Sequence, residues 1–544
     1  MLLARRGLSS AAAVRPRLAA LRRELARGEE ASPRVADVGE ATGARGASFF
    51  IETRGCQMNV SDSEVVRSLM VGEGYGEAGS AAEADVVLLN TCAIRDKAEA
   101  KVWTRLRDLR GRAPHGVKLK HGVPHKRQTV AVLGCMAERV KEGLFDGGLA
   151  DVVAGPDAYR RLPSLVSAAL ASQEPQIDTD LSLFEDYGDV VPTRRDPDSA
   201  HGAFVSIQRG CDNACAYCIV PYTRGRERSR TVDTVLDEVG HLYEAGVREI
   251  TLLGQNVNSY HDARSAGDRG SRRAYSAGFE PFVRHRKRDS QDRGVRFAEL
   301  LVRVAERAPD ARIRFTSPHP KDFPDDVLRA VADTPNVAKQ LHLPAQSGSD
   351  AVLGTMRRGY THAAYRALVR RARDAIPGVA LSSDFIAGFC GETADDHAAT
   401  LDLLRDVNYD MAFLFAYSSR DRTPAARRLD DDVPDDVKKD RLSDLTRTFR
   451  AGRDALSQSA VGETHLVLVE GEPKRRPRTD AYGPSVLTGR NDGYRKLIFP
   501  DALPDGTALR PGDFAHVLVD HTDGASLYGV PVARAAGAGD RPPT

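Results

Sequence analysis

From residue 47 onward, short apolar runs alternate with stretches whose apolar positions recur at helical spacing, and the first three runs end alike. Ser48-Phe49-Phe50-Ile51-Glu52-Thr53 reads as a strand that breaks at Gly55-Cys56, after which Ser61-Asp62-Ser63-Glu64 supplies helix-start chemistry ahead of Val65, Val66 and Leu69. Asp85-Val86-Val87-Leu88-Leu89-Asn90 runs into Thr91-Cys92 and then a helical segment from Lys97 to Leu109. Thr129-Val130-Ala131-Val132-Leu133 runs into Gly134-Cys135 and a helix from Ala137 to Phe145. Each cysteine thus stands where a strand hands over to a helix. In a parallel sheet these junctions gather along one edge, where doubly wound folds place their ligands.

The alternation resumes at residue 204 and continues to about 455 as six strand-then-helix units. The strands expected are Phe204–Gln208, Glu249–Leu253, Ile313–Thr316, Gln340–Leu343, Ala380–Ile386 and Met411–Ala416, with helices such as Thr231–Ala245, Ala298–Ala308 and Ala363–Ala375 between them. Beyond Gly462 the pattern becomes all-β. His465–Glu470, Val486–Arg490, Lys496–Phe499 and Phe514–Val519 are short strands parted by Gly, Pro and Asp turns, as in a small barrel. The fold class is therefore α/β: a doubly wound parallel sheet over 47–170, a second α/β domain over 200–456, and a small all-β domain over 460–534. Pro197–Ala203 and Ser457–Gly462 read as the linkers between them.

The cysteines carry the chemistry. Cys211-Asp-Asn-Ala-Cys215-Ala-Tyr-Cys218 follows directly on an apolar run, and three thiolates on so short a loop can hold three irons of a 4Fe–4S cube and leave the fourth open. A closed zinc site needs a fourth ligand at matching distance, and none stands there. Cys56, Cys92 and Cys135, converging at three strand ends near helix amino termini that favour anions, make a second cluster site; spacing alone also permits three structural cysteines. Cys390 lies outside both triads and reads as a packed core residue. Seven cysteines are odd in number and too few for a disulfide framework, so thiolate ligands in a reducing compartment are expected.

Charge adds less. The net charge is +2 and the pI about 8.1, which neither requires nor excludes a nucleic-acid partner, so any basic footprint must be local. Candidates are Lys118 to Arg127 and the 261–294 insertion, which has no apolar periodicity but carries Arg272-Arg273, the basic Arg284 to Arg288 run, and Tyr275, Phe279 and Phe282 for stacking. A third is the loop with Lys474, Arg475, Arg476 and Arg478. The first 27 residues hold seven arginines against the single acid Glu24 and read as a mitochondrial transit peptide, with residues 1–46 as a leader. No stretch is long and apolar enough to span a bilayer, so no membrane partner is expected.

Four segments bear a family resemblance: Gly55-Cys56-Gln57-Met58-Asn59, Asn90-Thr91-Cys92-Ala93-Ile94-Arg95, Leu133 to Arg139, and Gly210-Cys211 through Tyr222-Thr223-Arg224-Gly225-Arg226-Glu227. They resemble the radical S-adenosylmethionine (SAM) methylthiotransferases, and within that family the tRNA 2-methylthio-N6-dimethylallyladenosine synthases. The Arg224 to Arg230 run is similar to their mitochondrial eukaryotic branch. The resemblance covers roughly residues 47 to 530. It implies a partial (β/α)6 radical SAM barrel, a carboxyl-terminal TRAM domain that binds RNA, two 4Fe–4S clusters and SAM. It implies Cys211, Cys215 and Cys218 as ligands of the first cluster and Cys56, Cys92 and Cys135 as ligands of the auxiliary one. Tyr217, in this reading, lies near the adenine of SAM, and Gln255 and Gln346 contact SAM from strand ends.

The implied reaction converts N6-isopentenyladenosine beside the anticodon of a tRNA to its 2-methylthio derivative. A chain of this kind is expected to work in the mitochondrial matrix as a monomer, with an electron donor and a sulfur source. Two other readings compete: a methylthiotransferase for threonylcarbamoyladenosine or a ribosomal-protein aspartate, and a regulatory protein that keeps the fold without catalysis. The motif around Cys56 and the Arg224 to Arg230 run speak against the first, and the six ligating thiols against the second.

Overall fold

The computed structural model describes residues 46–93, 96–111, 128–194, 201–265, 267, 275–280, 282, 294–473 and 485–540. The leader, Lys118 to Arg127, most of the 261–294 insertion, and the Lys474, Arg475, Arg476 and Arg478 loop lie outside the described residues.

The amino-terminal sheet contains six parallel strands: β1 (Ser48–Arg54), β2 (Gly76–Glu77), β3 (Val86–Thr91), β4 (Thr129–Gly134), β5 (Val152–Ala154) and β6 (Gln176–Asp178), in the order β2-β1-β3-β4-β5-β6. Every residue of β3 and β4 is buried, which is why both read as unbroken apolar runs rather than alternating ones. Helices α1 (Gln57–Gly72), α2 (Asp96–Leu109), α3 (Cys135–Val140) and α4 (Leu162–Ser172) follow β1, β3, β4 and β5. Strands β2, β5 and β6 are only two or three residues long, too short to show a period, and β6 lies beyond residue 170.

The central domain has the expected six parallel strands in two half-sheets. The first comprises β7 (Gly202–Ser206), β8 (Glu249–Leu253) and β9 (Arg312–Phe315); the second, β10 (Gln340–His342), β11 (Ala380–Ala387) and β12 (Met411–Ala416). A bridge from Ile313 to Val337 joins the halves. Among the described residues β7 and β12 do not pair, so the barrel is open on one side. Side chains alternate across each strand. One set, including Val205, Ile250, Leu252, Ile313, Leu341, Leu381 and Phe385, is buried in one core with the surrounding helices α5 (Val232–Glu244), α6 (Phe297–Arg307), α7 (Asp325–Asp333), α8 (His362–Ala375), α9 (Ala394–Val407) and α10 (Asp435–Ser459). The other set, Phe204, Ser206, Thr251, His342, Asp384, Phe413 and Phe415, points inward and keeps partial exposure. Register places Thr251 beside Phe204, His342 beside Ser382 and Asp384 beside Phe413, so these residues line one hollow.

The carboxyl-terminal domain is a closed barrel of β13 (Thr464–Gly471), β14 (Val486–Arg490), β15 (Lys496–Pro500), β16 (Phe514–Thr522) and β17 (Leu527–Ala535), in the order β13-β14-β15-β17-β16. The sequence pattern shows four of these strands. The fifth, β17, carries Gly529 and Pro531, which dilute a strand signal. Ser457 to Gly462 is no slack linker: α10 runs through Ser459, and the Ser457 hydroxyl donates to the Gly524 carbonyl at 3.1 Å.

This small barrel stops the base of the hollow. Arg312, fully buried at the start of β9, donates to the carbonyls of Arg490 (2.8 Å) and Leu466 (2.9 Å) and pairs with Asp492 at 2.8 Å. Arg314 donates to the carbonyls of Asn491 and Asp492, each at 2.6 Å, and pairs with Glu249 at 2.8 Å. Removing one partner of a buried ion pair leaves the other charge stranded. Arg312→Ala should therefore lower stability by about 3–5 kcal/mol in chemical denaturation. Arg534→Ala, which removes a half-exposed partner of Asp513, should cost no more than about 1 kcal/mol. Equal losses would refute the account of this interface.

Candidate active site

The Cys211 loop starts where β7 ends. Gly210 sits at φ 72°, and a Cβ there would come within 2.0 Å of the Arg226 carbonyl oxygen, so only glycine lets the loop pass its own return strand. The loop is pinned from outside: Cys211 N–H donates to the Gly225 carbonyl (3.2 Å), Ala214 N–H to that of Phe282 (2.9 Å), and Ala216 N–H to that of Met356 (2.9 Å). Beneath it Arg358, almost wholly buried, spends each guanidinium nitrogen: Nη1 on Cys215 Sγ (3.2 Å), Nη2 on the Pro344 carbonyl (3.0 Å) and Nε on the Tyr360 hydroxyl (3.0 Å). Burial pushes the Cys211 thiol well above its ordinary range.

The residues expected to meet SAM lie around this loop. Tyr217 packs edge-on against Phe389, ring centres 6.4 Å apart. Gln255 Oε1 accepts from Gly210 N–H at 2.5 Å, so Gln255 fixes the glycine turn as well. Its Nε2, and the Oδ1 of Asn256, are buried without a hydrogen-bond partner among the described residues. Gln346 holds the left-handed conformation (φ 68°), fastened by bonds to the Asp384 carbonyl and from Ile386 N–H. A non-glycine residue kept there by its surroundings marks a position the fold over-determines.

The amino-terminal triad is built from reciprocal amides. Asn59 Nδ2 donates to Asn90 Oδ1 (2.9 Å) and the Thr91 carbonyl (3.0 Å), Asn90 Nδ2 returns a bond to the Asn59 carbonyl (2.9 Å), and Asn59 Oδ1 accepts from Cys56 N–H (3.3 Å). This ties the Cys56 turn to the Cys92 turn. Gly134, at φ 88°, lets the Cys135 turn close in, since a Cβ there would lie 2.6 Å from the Thr91 carbonyl. A hydrogen bond with Cys92, opposed by burial and helped by the charge of Arg224, lowers the Cys56 thiol to about 6. Cys135 Sγ accepts from Arg224 Nε at 3.1 Å.

Arg224 belongs to the barrel domain, so this contact crosses between domains. It is one strand of a buried ion network. Asp62 of α1 pairs with Arg209 (2.8 Å) and Arg224 (2.7 Å), and Asp157, after β5, pairs with Arg228 (2.9 Å). Arg209 also donates to the Pro156 carbonyl at 3.0 Å and lies over the Tyr187 ring at 4.9 Å, and the Tyr159 hydroxyl donates to Asp62 at 3.2 Å. Burial by itself would raise the Asp62 carboxyl, but the guanidinium groups of Arg224 and Arg209 overcome it and hold the group below the ordinary carboxylate range. On another side Arg422 donates to the Glu138 carbonyl at 3.3 Å.

The six cysteines thus gather as two groups of three about one domain junction. None of the seven is disulfide-bonded, and Cys390 is buried with Ala216, Phe389 and Tyr417. Among the described residues no three ligand side chains close on a point that a single metal ion could occupy. A cubane takes one thiolate at each of three corners rather than three donors on a single ion. Phe279, expected to be available for stacking, is instead buried against Tyr360, ring centres 4.8 Å apart, while Phe282 remains half-exposed.

Sequence reasoning missed Arg358, the Asp62 and Asp157 network, and the pair His342–Asp384 inside the hollow. In that pair Nε2 lies 3.4 Å from Oδ2, and His342 Nδ1 lies 2.9 Å from Ser382 Oγ. In metal-free protein, iodoacetamide should modify Cys56 at a rate reaching half its plateau near pH 6, because the thiolate is the nucleophile, while Cys211 resists across the neutral range. Peptide mass spectrometry checks this, and one shared pH profile would contradict it.

A family model described as the radical SAM superfamily matches residues 205–404, and one described as uncharacterized protein family UPF0004 matches residues 48–155. The mitochondrial tRNA methylthiotransferase CDK5RAP1 of Rattus norvegicus is 48% identical over 518 residues, which is 92% of this chain and 84% of the relative. The tRNA-2-methylthio-N(6)-dimethylallyladenosine synthase of Chloroherpeton thalassium is 43% identical over 484 residues, 89% of this chain and 96% of that one. Among solved structures, the radical S-adenosylmethionine methyltransferase TsrM from Kitasatospora setae, with cobalamin and a 4Fe–4S cluster bound, is similar at 14% identity and a TM-score of 0.47, over 70% of this chain and 77% of that one. At this identity over most of both chains, the chain belongs to the radical SAM methylthiotransferase family.

Proposed function

We propose that the protein is a tRNA methylthiotransferase that converts N6-isopentenyladenosine beside the anticodon to its 2-methylthio derivative. The observation that carries this reading is the gathering of two cysteine triads about one domain junction, across which Arg224 bonds Cys135 and Asp62. The residues fit the cofactors that the family uses. Cys211, Cys215 and Cys218 would hold one 4Fe–4S cluster and Cys56, Cys92 and Cys135 the auxiliary one. The buried Nε2 of Gln255 and Oδ1 of Asn256 await a polar ligand beside the first, which suits SAM with Gln346 and Tyr217. Bound there, the clusters and SAM supply the radical and sulfur chemistry that acid–base side chains lack for replacing an aromatic C–H.

The protein's own groups prepare that chemistry. Arg358 offsets the charge of a ligating thiolate without admitting water. The hollow behind the loop is lined by Phe204, Phe413 and the His342–Asp384 pair, a mixture suited to stacking and orienting a base. The carboxyl-terminal barrel closes its base, and the amino-terminal domain docks at the Cys211 side, which limits solvent during reaction. An unpaired anticodon loop can present a splayed purine to such a hollow.

The carboxyl-terminal barrel acts in this reading as a TRAM domain, with Lys474, Arg475, Arg476 and Arg478 on stem phosphates. The protein works in the mitochondrial matrix as a monomer, with an electron donor and a sulfur source. Relatives named for mitochondria and the basic first 27 residues support the location. Among the described residues, no helix is long and apolar enough to cross a membrane.

The test compares nucleosides of mitochondrial tRNA from cells carrying this chain and cells carrying Cys215→Ala. The 2-methylthio form should vanish and its isopentenyladenosine precursor accumulate. An unchanged pattern with stably expressed variant would refute the substrate, and a loss confined to threonylcarbamoyladenosine products would favour that branch instead.

A further inference from the structure

The chain has a single tryptophan, Trp103, on the helix that follows the Cys92 turn. Half-buried, it packs against the amino-terminal core and also lines a cleft of about 280 Å3, together with Glu99 of the same helix, Arg139 of α3, and Ser419 to Asp421 of the loop after β12. The cleft lies between the two domains at the mouth of the hollow. β12 borders the side on which the barrel is open, and the loop that follows it forms one wall. The other wall comes from helices that start at the auxiliary triad: Arg139 stands one turn along α3 from Cys135, about 6 Å on.

The indole is held in place. Its Nε1 donates to Glu99 Oε1 at 3.3 Å, and the same oxygen accepts from Arg139 Nη2. Arg139 in turn lies 3.9 Å from Asp421 across the cleft. An aromatic ring already fixed in one rotamer loses little freedom when a ligand stacks on it.

The lining selects the ligand. Glu99 and Asp421 balance Arg139 and Arg420, so the cleft offers a bare anion no net attraction, and a flat ring with hydrogen-bonding edges suits it better. A nucleobase is such a ring. Arg107, exposed one turn beyond Trp103 on the same helix face, sets a cation just outside, where the phosphate of a stacked nucleotide would follow. A base drawn out of its stack and into the hollow also leaves its neighbour without a stacking partner.

Resting on the tRNA reading above, we propose that Trp103 is the platform on which a nucleobase adjacent to the target adenosine stacks, held in this cleft while the target base enters the hollow. Trp103 is a positioning residue: it touches the RNA away from the reacting atoms and sets which nucleotide faces the opening.

Because no other tryptophan is present, indole emission reports this cleft alone. The reconstituted full-length chain is titrated with an anticodon stem-loop RNA carrying isopentenyladenosine, and binding is followed separately by the anisotropy of a label at the far end of the stem. Binding should quench Trp103 and shield it from iodide. Trp103→Ala should weaken the RNA about tenfold, in KM more than in kcat, and Trp103→Phe should recover most of the loss. Removing the base from each flanking nucleotide in turn should cost the wild-type protein a similar factor at one flank, and should cost Trp103→Ala nothing further there, since both changes delete one contact. The emission and abasic measurements on wild-type protein decide the matter even if Trp103→Ala fails to fold. RNA that binds without altering Trp103 emission, or abasic losses that are the same in wild-type and Trp103→Phe or Trp103→Ala protein at both flanks, overturns the proposal and leaves the substrate reading standing. RNA that the wild-type protein neither binds nor methylthiolates overturns both.

Discussion

Everything at the junction depends on two aspartates buried where three arginines meet them. Asp62 and Asp157 come from the amino-terminal domain, and Arg209, Arg224 and Arg228 from the segment after β7. Taking these charges out of water is costly, and well-packed apolar residues would often hold two domains together as firmly. What the network adds is position. A guanidinium fork accepts few geometries, so it sets the angle and depth at which one triad faces the other. An apolar interface of equal area would tolerate sliding.

The arrangement also explains why the barrel is hollow. In an ordinary α/β barrel the inward side chains pack into layers. Here the inward set is small, polar or aromatic and only partly buried, while the outward set is apolar and sealed under helices. The sequence alternates in the expected period, but its two faces have exchanged their usual roles: the helix side is the core, and the inside is a workplace closed at its base by Arg312 and Arg314.

Much of this was legible in the residues because it is local. The strand, cysteine and helix succession around Cys56, Cys92 and Cys135 lies within a few positions each time, and the six barrel strands appear within a residue or two of where their apolar runs put them. What was hidden is long-range. Arg209 and Asp62 are 147 positions apart, Arg358 and Cys215 143, and no periodicity links such pairs. The short strands β5 and β6 carry too few residues for a pattern, and β17 is masked by its glycine and proline. Phe279 looked like a surface aromatic because its neighbours are basic, yet it packs against Tyr360 from a distant turn.

The plug at the base of the hollow turns the molecule into a ruler. The small barrel is fastened by Arg312 and Arg314 to the starts of the strands, and the cysteine loops stand at their ends, so the two are separated by the height of the central barrel. Strands of three to eight residues at about 3.3 Å each set that height. Under the proposed function, an RNA held by the small barrel would have to run along the outside wall before one of its bases could turn in at the mouth. In that reading the nucleotide that arrives would be chosen by its distance from the grip, before any of its atoms is read.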